Sequence, residues 1–236
     1  METANRREFL KSASPLVAGA SLIGTSRAWA GANDRIRAAI IGTGGRSRSL
    51  ANEMLENKNI EIVALADPDQ MRVEERASQI EKSTGKRPRV EKDLRKILED
   101  KEIDAVTVAT CNHWHALSTI WACQAGKHVY VEKPVSHNVF EGRKMVEASR
   151  KYNRIVQGGT QRRSWGRFRK AMQLLQGGAI GDIYMSRTVL IQPRESIGFK
   201  DAQAPPAHLD WDLWLGPAKQ QPYHPNLAPY NWHWFW

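Results

Sequence analysis

Lys133 is the residue of this sequence best placed to move a proton. It follows the strand-like run Val129–Glu132 and precedes Pro134. An ammonium group at a strand end can hydrogen-bond a substrate hydroxyl, and burial would lower its pKa toward a useful acid–base value. The alternative is an ordinary surface lysine that follows a strand. Its position between an acid and a proline favours a functional role.

A second polar cluster, residues 110–115, follows the strand-like run Ala105–Ala109 and reads Thr-Cys-Asn-His-Trp-His. Parallel sheets bind ligands at the carboxyl ends of their strands, so both clusters are expected to face one crevice. His113 and His115 lie two residues apart, which could place both on one side of an extended segment. Without a third ligand they predict no metal site.

A glycine turn lies upstream of both clusters. The apolar run Ala38–Ile41 enters Gly42-Thr43-Gly44-Gly45-Arg46-Ser47, and the later strand-like run Ile60–Ala66 ends in Asp67. Such a turn lets the backbone approach a pyrophosphate, whose charge the N–H groups of the next helix bind. The acid can accept hydrogen bonds from a ribose diol. Ser47 replaces the third glycine of the pattern but is small. The spacing predicts a dinucleotide site.

The elements that position these residues alternate between strand and helix from residue 36 to about 160. Predicted strands are Ile36–Ile41, Ile60–Ala66, Ala105–Ala109, Val129–Glu132 and Ile155–Gly158, and predicted helices are Arg46–Asn57, Pro68–Thr84, Asp93–Asp100, Ala116–Gly126 and Val139–Tyr152, the last capped by Ser136. This rhythm predicts an α/β fold, a Rossmann domain with a parallel sheet over residues 31–158. A helix over Trp165–Gly177, a long strand over Ile183–Gln192 and a proline- and tryptophan-rich segment follow, so residues 159–236 are expected to begin an incomplete C-terminal domain.

Residues 1–30 have the order of a twin-arginine export signal. The paired arginines Arg6 and Arg7 precede an apolar stretch, residues 13–25, and the small-x-small site Ala28-Trp29-Ala30. The alternative is a basic amphipathic helix. The stretch is too short and broken to span a membrane in a mature chain. We therefore expect a periplasmic or otherwise exported protein that begins near Gly31.

The composition limits the classes of binding partner that the sequence predicts. Losing residues 1–30 removes four basic and two acidic residues, which lowers the net charge from +10 to +8. A basic surface could suit anionic ligands, but export and the lack of a nucleic-acid motif argue against nucleic acid. Cys111 and Cys123 make no disulfide framework.

The glycine turn, the Thr-x-Asn-His-x-His run and Glu132-Lys133-Pro134 together resemble the Gfo/Idh/MocA oxidoreductases over residues 34–236. The resemblance implies a bound NAD, a catalytic Lys133 and, often, a cis peptide bond before Pro134. It also implies an open-sheet α+β second domain and a homo-oligomeric full-length protein. The implied cofactor-binding residues are Gly42, Thr43, Gly44, Gly45, Arg46, Asp67, Thr110, Asn112, His115 and Glu132.

The resemblance also indicates candidate substrate-binding residues. Gln161 and an arginine, Arg162 or Arg163, lie where the family crosses into its second domain, and Trp211 could stack on a sugar face or simply cover a core. Two departures stand out. Cys111 replaces a usual proline, and the Asp and His that commonly complete the family's site would fall beyond Trp236.

These observations predict an oxidoreductase that transfers hydride between a sugar or polyol and a tightly held NAD. NAD is expected over NADP because Asp67 would repel a 2′-phosphate, a preference that nearby Arg46 and Arg72 could soften. Two alternatives stay open. One is an NAD-dependent glycosidase that acts through a transient 3-keto sugar, and the other is a truncated homologue that binds without turnover.

Overall fold

The computed structural model describes residues 35–191, 193 and 195–234, so the predicted export signal lies outside the described residues. A six-stranded sheet, parallel throughout, organises the chain, with its strands in the order β3-β2-β1-β4-β5-β6. The strands are β1 (Ile36–Ile41), β2 (Ile60–Ala66), β3 (Arg89–Glu91), β4 (Ala105–Val108), β5 (His128–Glu132) and β6 (Val156–Gly159). This confirms the predicted Rossmann architecture.

Helices connect the strands and cover both faces of the sheet. They are α1 (Gly45–Leu55), α2 (Gln70–Thr84), α3 (Leu94–Glu99), α4 (Asn112–Gln124), α5 (Val139–Lys151), α6 (Gly166–Gln176) and the short α7 (Trp211–Leu215). Two 3-10 turns span Gln161–Ser164 and Asn231–Trp234. Within the described ranges, no helix is both long and apolar enough to cross a membrane.

The central strand β1 shows why the sheet forms here. Its last four residues are buried, and neighbouring side chains point to opposite faces. Ile40 packs with residues of α1 and α2, such as Ala51 and Val73. Ile41 packs in the other core, which α3, α4 and α5 close. A strand buried on both faces therefore reads as a continuous apolar run.

Three local predictions are wrong. Helix α4 begins at Asn112, so His113 and His115 lie in a helical turn and not on an extended segment. Asn138, not Ser136, caps α5, because its Oδ1 accepts the Glu141 N–H at 2.9 Å. Residues 183–191 form no strand. A strand is stabilised by hydrogen bonds to a neighbour, and no strand in the described residues pairs with this stretch.

The C-terminal stretch returns to the carboxyl edge of the sheet. Leu209 forms an antiparallel bridge with Asp69, directly after β2. Around α7, Trp211 and Trp214 stack with their ring centroids 4.7 Å apart, and Tyr223 packs edge-on against Trp211. This small aromatic core therefore lies beside the edge where the predicted site residues gather.

Candidate nucleotide-binding site

The turn after β1 requires glycine at its first position. Gly42 has φ +87°, and its N–H donates to the Ala66 carbonyl at 2.8 Å. A Cβ there would lie 2.6 Å from the Thr110 backbone nitrogen and 2.7 Å from the Ala109 carbonyl carbon. Both contacts are with backbone, which cannot rotate away. The turn is therefore held between β2 and β4, which brings the start of α1 to the sheet edge.

The start of α1 fits an anionic group. Gly44 is the N-cap, no side chain among the described residues caps the helix, and no acid lies in its first turn. The first N–H groups of a helix have no partner inside it and carry partial positive charge. No described atom lies within 4 Å of the position that a Cβ at Gly45 would occupy. A phosphate can therefore approach these N–H groups closely.

Ser47 fulfils the role expected of the third glycine. It is fully buried, and its Oγ donates to the Gly44 carbonyl at 2.7 Å. The Arg76 guanidinium of α2 donates to the same Oγ at 3.2 Å. The serine thus allows close helix packing and ties α1 to α2.

Asp67 anchors the turn to the end of β2. Its Oδ2 accepts from the Thr43 N–H at 2.6 Å and from Thr43 Oγ1 at 3.0 Å, and its Oδ1 accepts from the Asp69 N–H at 2.9 Å. Burial raises the pKa of Asp67, while these hydrogen bonds oppose the rise. Asp67, which was predicted to bind a ribose, therefore also fixes the conformation of the glycine turn.

A cavity of about 590 Å³ opens over this edge of the sheet. The glycine turn and the ends of β2 and β3 line one part of it, and the ends of β4 and β5 line another. The C-terminal stretch supplies a further wall. The predicted site residues on its lining are Gly42, Gly44, Gly45, Arg46, Asp67, Thr110, Asn112, His115, Glu132 and Lys133. Thr43 lines an adjoining hollow beside Arg72 and Arg76.

His115 joins the two polar clusters. Its Nδ1 lies 2.6 Å from the Pro134 carbonyl and its Nε2 lies 3.1 Å from the Thr110 carbonyl. Burial lowers the pKa of His115, although the two carbonyls oppose this shift. A neutral ring donates from one nitrogen only, and we assign that proton to the shorter contact, with Pro134. The Lys133–Pro134 peptide bond is cis.

Glu132 is held by residues from three parts of the chain. Its Oε1 accepts from Arg46 Nε and from Gln161 Nε2, each at 2.7 Å, and its Oε2 accepts from the Lys133 N–H at 3.2 Å. Glu132 is buried. Sequence reasoning named all four residues but missed their connection, because 86 residues separate Arg46 from Glu132.

The structure also locates the remaining residues that the sequence singled out. The Lys133 side chain is exposed within the described residues, so they do not supply the burial that the sequence argument invoked. Arg162 and Arg163 are exposed in the first 3-10 turn and do not line the cavity. Trp211 is buried in the aromatic core, where its Nε1 donates to the Gln221 carbonyl at 2.8 Å. It therefore helps to cover the aromatic core, which is one of the two roles expected of it.

The two histidines and the cysteines were considered as metal ligands in the sequence. No group of three or more potential ligands comes together among the residues that the structure describes. Cys111 and Cys123 are both free thiols, and burial raises the pKa of Cys111.

The sequence that forms this site matches the model of a known protein family. Residues 36–160 match the GFO_IDH_MocA model, described as an oxidoreductase family with an NAD-binding Rossmann fold. The chain belongs to this family.

Individual proteins that are similar to this chain have the following names and extents of similarity. An uncharacterized oxidoreductase of Streptococcus pneumoniae is 31% identical over 65% of this chain and 40% of its own length. A glycosyl hydrolase family 109 protein of Stenotrophomonas maltophilia is 35% identical over 54% of this chain and 29% of its own. The crystal structure of myo-inositol 2-dehydrogenase from Lactobacillus plantarum superposes with a TM-score of 0.57 and 26% identity, covering 64% of this chain and 43% of that one. The chain thus spans less than half the length of these relatives.

Proposed function

We propose that this chain is the cofactor-binding part of an NAD-dependent oxidoreductase that acts on a sugar or polyol. One observation carries the proposal: the glycine turn, Asp67 and Lys133 open onto the same cavity at the carboxyl edge of the sheet. The glycine turn suits the pyrophosphate of a dinucleotide, and Asp67 suits its adenosine ribose. Lys133 lies two strands away, where a substrate could approach.

The chain's own residues have distinct tasks. The first N–H groups of α1 would bind the pyrophosphate, and Asp67 would accept a hydrogen bond from the adenosine ribose. Glu132, held by Arg46 and Gln161, fixes the backbone N–H of Lys133. The Lys133 ammonium then orients the substrate hydroxyl and takes part in its proton transfer. A bound nicotinamide would supply the hydride acceptor or donor for this reaction.

NAD is the cofactor that Asp67 favours. A 2′-phosphate would add negative charge beside a buried carboxylate, which is costly at short range. Arg72 of α2, which lines the cavity together with Asp67, is paired with Asp69 at 3.2 Å. Its charge is therefore already partly balanced, which leaves less to attract a 2′-phosphate.

The sugar or polyol assignment rests on the resemblance to a protein named as a myo-inositol 2-dehydrogenase. The test is to load full-length protein with NAD, add inositols, aldoses and other polyols in turn, and record absorbance at 340 nm. We expect one reduced cofactor per site with at least one polyol. An absorbance that rises with none of them, or that rises equally in Lys133→Met, would remove the proposal.

A glycosidase is the second candidate, because one relative is named a glycosyl hydrolase family 109 protein. Oxidation at sugar C3 would acidify the neighbouring C–H bond, allow the aglycone to leave and then be reversed. Incubation with nitrophenyl glycosides separates the two activities. Release of nitrophenol without net NADH supports the glycosidase, and net NADH supports the dehydrogenase. Cofactor binding with neither product supports the non-catalytic alternative.

Export remains part of the proposal. Arg6 and Arg7 are expected to direct the folded, cofactor-loaded protein through the twin-arginine route. Replacing both by lysine should keep the protein in the cytoplasm, and the N-terminus of exported protein should lie near Gly31. Unchanged export of the double variant would refute this route.

A further inference from the structure

Residues 205–216, here called the covering segment, bind the loop after β2 through backbone. The Gln70 N–H donates to the His208 carbonyl at 2.9 Å, and the Asp210 N–H donates to the Pro68 carbonyl at 3.0 Å. The His208 ring also contacts Asp69, with Nδ1 3.0 Å from Oδ1. The covering segment therefore lies along the loop that carries the ribose-binding acid.

Its other contacts reach two more strand ends. Beyond β3, Lys92 forms an ion pair with Asp210 at 2.9 Å. Beyond β4, the Trp114 Nε1–H donates to the Leu213 carbonyl at 3.1 Å, and His113 Nε2 lies 3.0 Å from the Trp214 carbonyl. These contacts hold the segment across the ends of three strands, β2, β3 and β4.

The end of the segment needs glycine to dock. Gly216 has φ +49°, and a Cβ there would overlap the indole ring of Trp114 at Cζ2. Trp114 itself is held by its donation to the Leu213 and Trp214 carbonyls. A side chain at position 216 would thus force the segment and the indole apart.

The segment presents an apolar face to the cavity. Leu209, Leu213 and Trp214 line it, together with Leu94 from the start of α3. In sheets of this order the half of a dinucleotide that lies toward β2 and β3 is the adenosine half, because its ribose meets the acid after β2. An adenine has flat apolar faces that such side chains can cover.

We propose that the covering segment forms the adenine subsite and thereby slows release of the cofactor. This inference rests on the proposed function. Residues outside the Rossmann sheet would then retain the cofactor, as an exported enzyme needs.

The test compares ligands that hold one half of the cofactor each. Wild-type full-length protein and Gly216→Ala are titrated with ADP-ribose and with nicotinamide mononucleotide, and the rate of NADH release is measured by stopped-flow fluorescence. Gly85→Ala is the matched control, because Gly85 also has positive φ, at +72°, but open space around its Cβ position. We expect Gly216→Ala to release NADH roughly tenfold faster and to bind ADP-ribose correspondingly less tightly, with nicotinamide mononucleotide unaffected.

A second variant covers the case in which Gly216→Ala does not fold. Lys92→Met removes the ion pair to Asp210, and Lys86→Met, which removes a surface pair to Glu61 at 2.8 Å, is its control. Lys92→Met should speed NADH release and Lys86→Met should not. Release at the wild-type rate in the folded test variants, or equal weakening of both half-ligands, overturns the adenine subsite. Failure of wild-type protein to bind ADP-ribose overturns the proposed function as well.

Discussion

Gly42→Ala tests the close approach of the glycine turn to β4. The substitution places a Cβ 2.6 Å from the Thr110 nitrogen and forces alanine to adopt φ +87°. The left-handed conformation costs about 1–2 kcal/mol, and crowding in a packed region adds about 1–3 kcal/mol. We therefore expect a loss of about 2–5 kcal/mol in the free energy of unfolding, a large part of the roughly 5–15 kcal/mol of a typical domain.

Gly85→Ala provides the reference for this experiment. Gly85 ends α2 with φ +72° and has no described atom within 4 Å of its Cβ position, so only the conformational cost applies. Urea unfolding followed by circular dichroism gives both free energies, and titration with NAD gives the affinities. Gly42→Ala should be the less stable variant and should lose NAD binding, whereas Gly85→Ala should bind normally. Equal destabilisation with normal NAD binding in both variants would refute the close approach and the role of the turn.

Three further predictions concern the cofactor and the lysine. Burial raises the pKa of Asp67, so NAD affinity should fall as pH drops through that raised value, because a protonated acid is a weaker acceptor for a ribose hydroxyl. Asp67→Asn should bind NAD weakly at every pH tested, and a parallel pH dependence in that variant would contradict the assignment. Lys133→Met should lower kcat about 10²–10⁴-fold with little change in the Kd for NAD, and a variant that keeps most of its kcat would remove Lys133 from the mechanism. Extensive dialysis of the protein should leave its cofactor bound, as absorbance and mass would show, whereas protein that emerges empty and works only with added NAD would argue against a tightly held cofactor.

The sheet was predictable where burial dictates residue type. The predicted bounds of β1 and β2 agree with the structure, because both strands are apolar runs covered by helices. Strand β3 was missed since Arg89–Glu91 is short and two of its three residues are charged. Its pairing with β2 comes from the sheet edge and not from its own pattern.

The candidate site was predictable residue by residue but not in its connections. Spacing identified the glycine turn and Asp67, yet the anchoring of Asp67 on Thr43 depends on how β1 and β2 align. The start of α4 was placed four residues late, because the polar residues from Asn112 onward resemble a loop. The covering segment depends on contacts between residues about 100 positions apart, such as Trp114 with Leu213, which no local pattern encodes.

The most direct test of the account is native mass spectrometry of the full-length protein in an equimolar mixture of NAD and NADP. The contacts of Asp67 and the open start of α1 predict one NAD per chain and little NADP. A protein that binds neither dinucleotide, or that takes NADP in preference, would contradict the central claim that this strand edge is an NAD site.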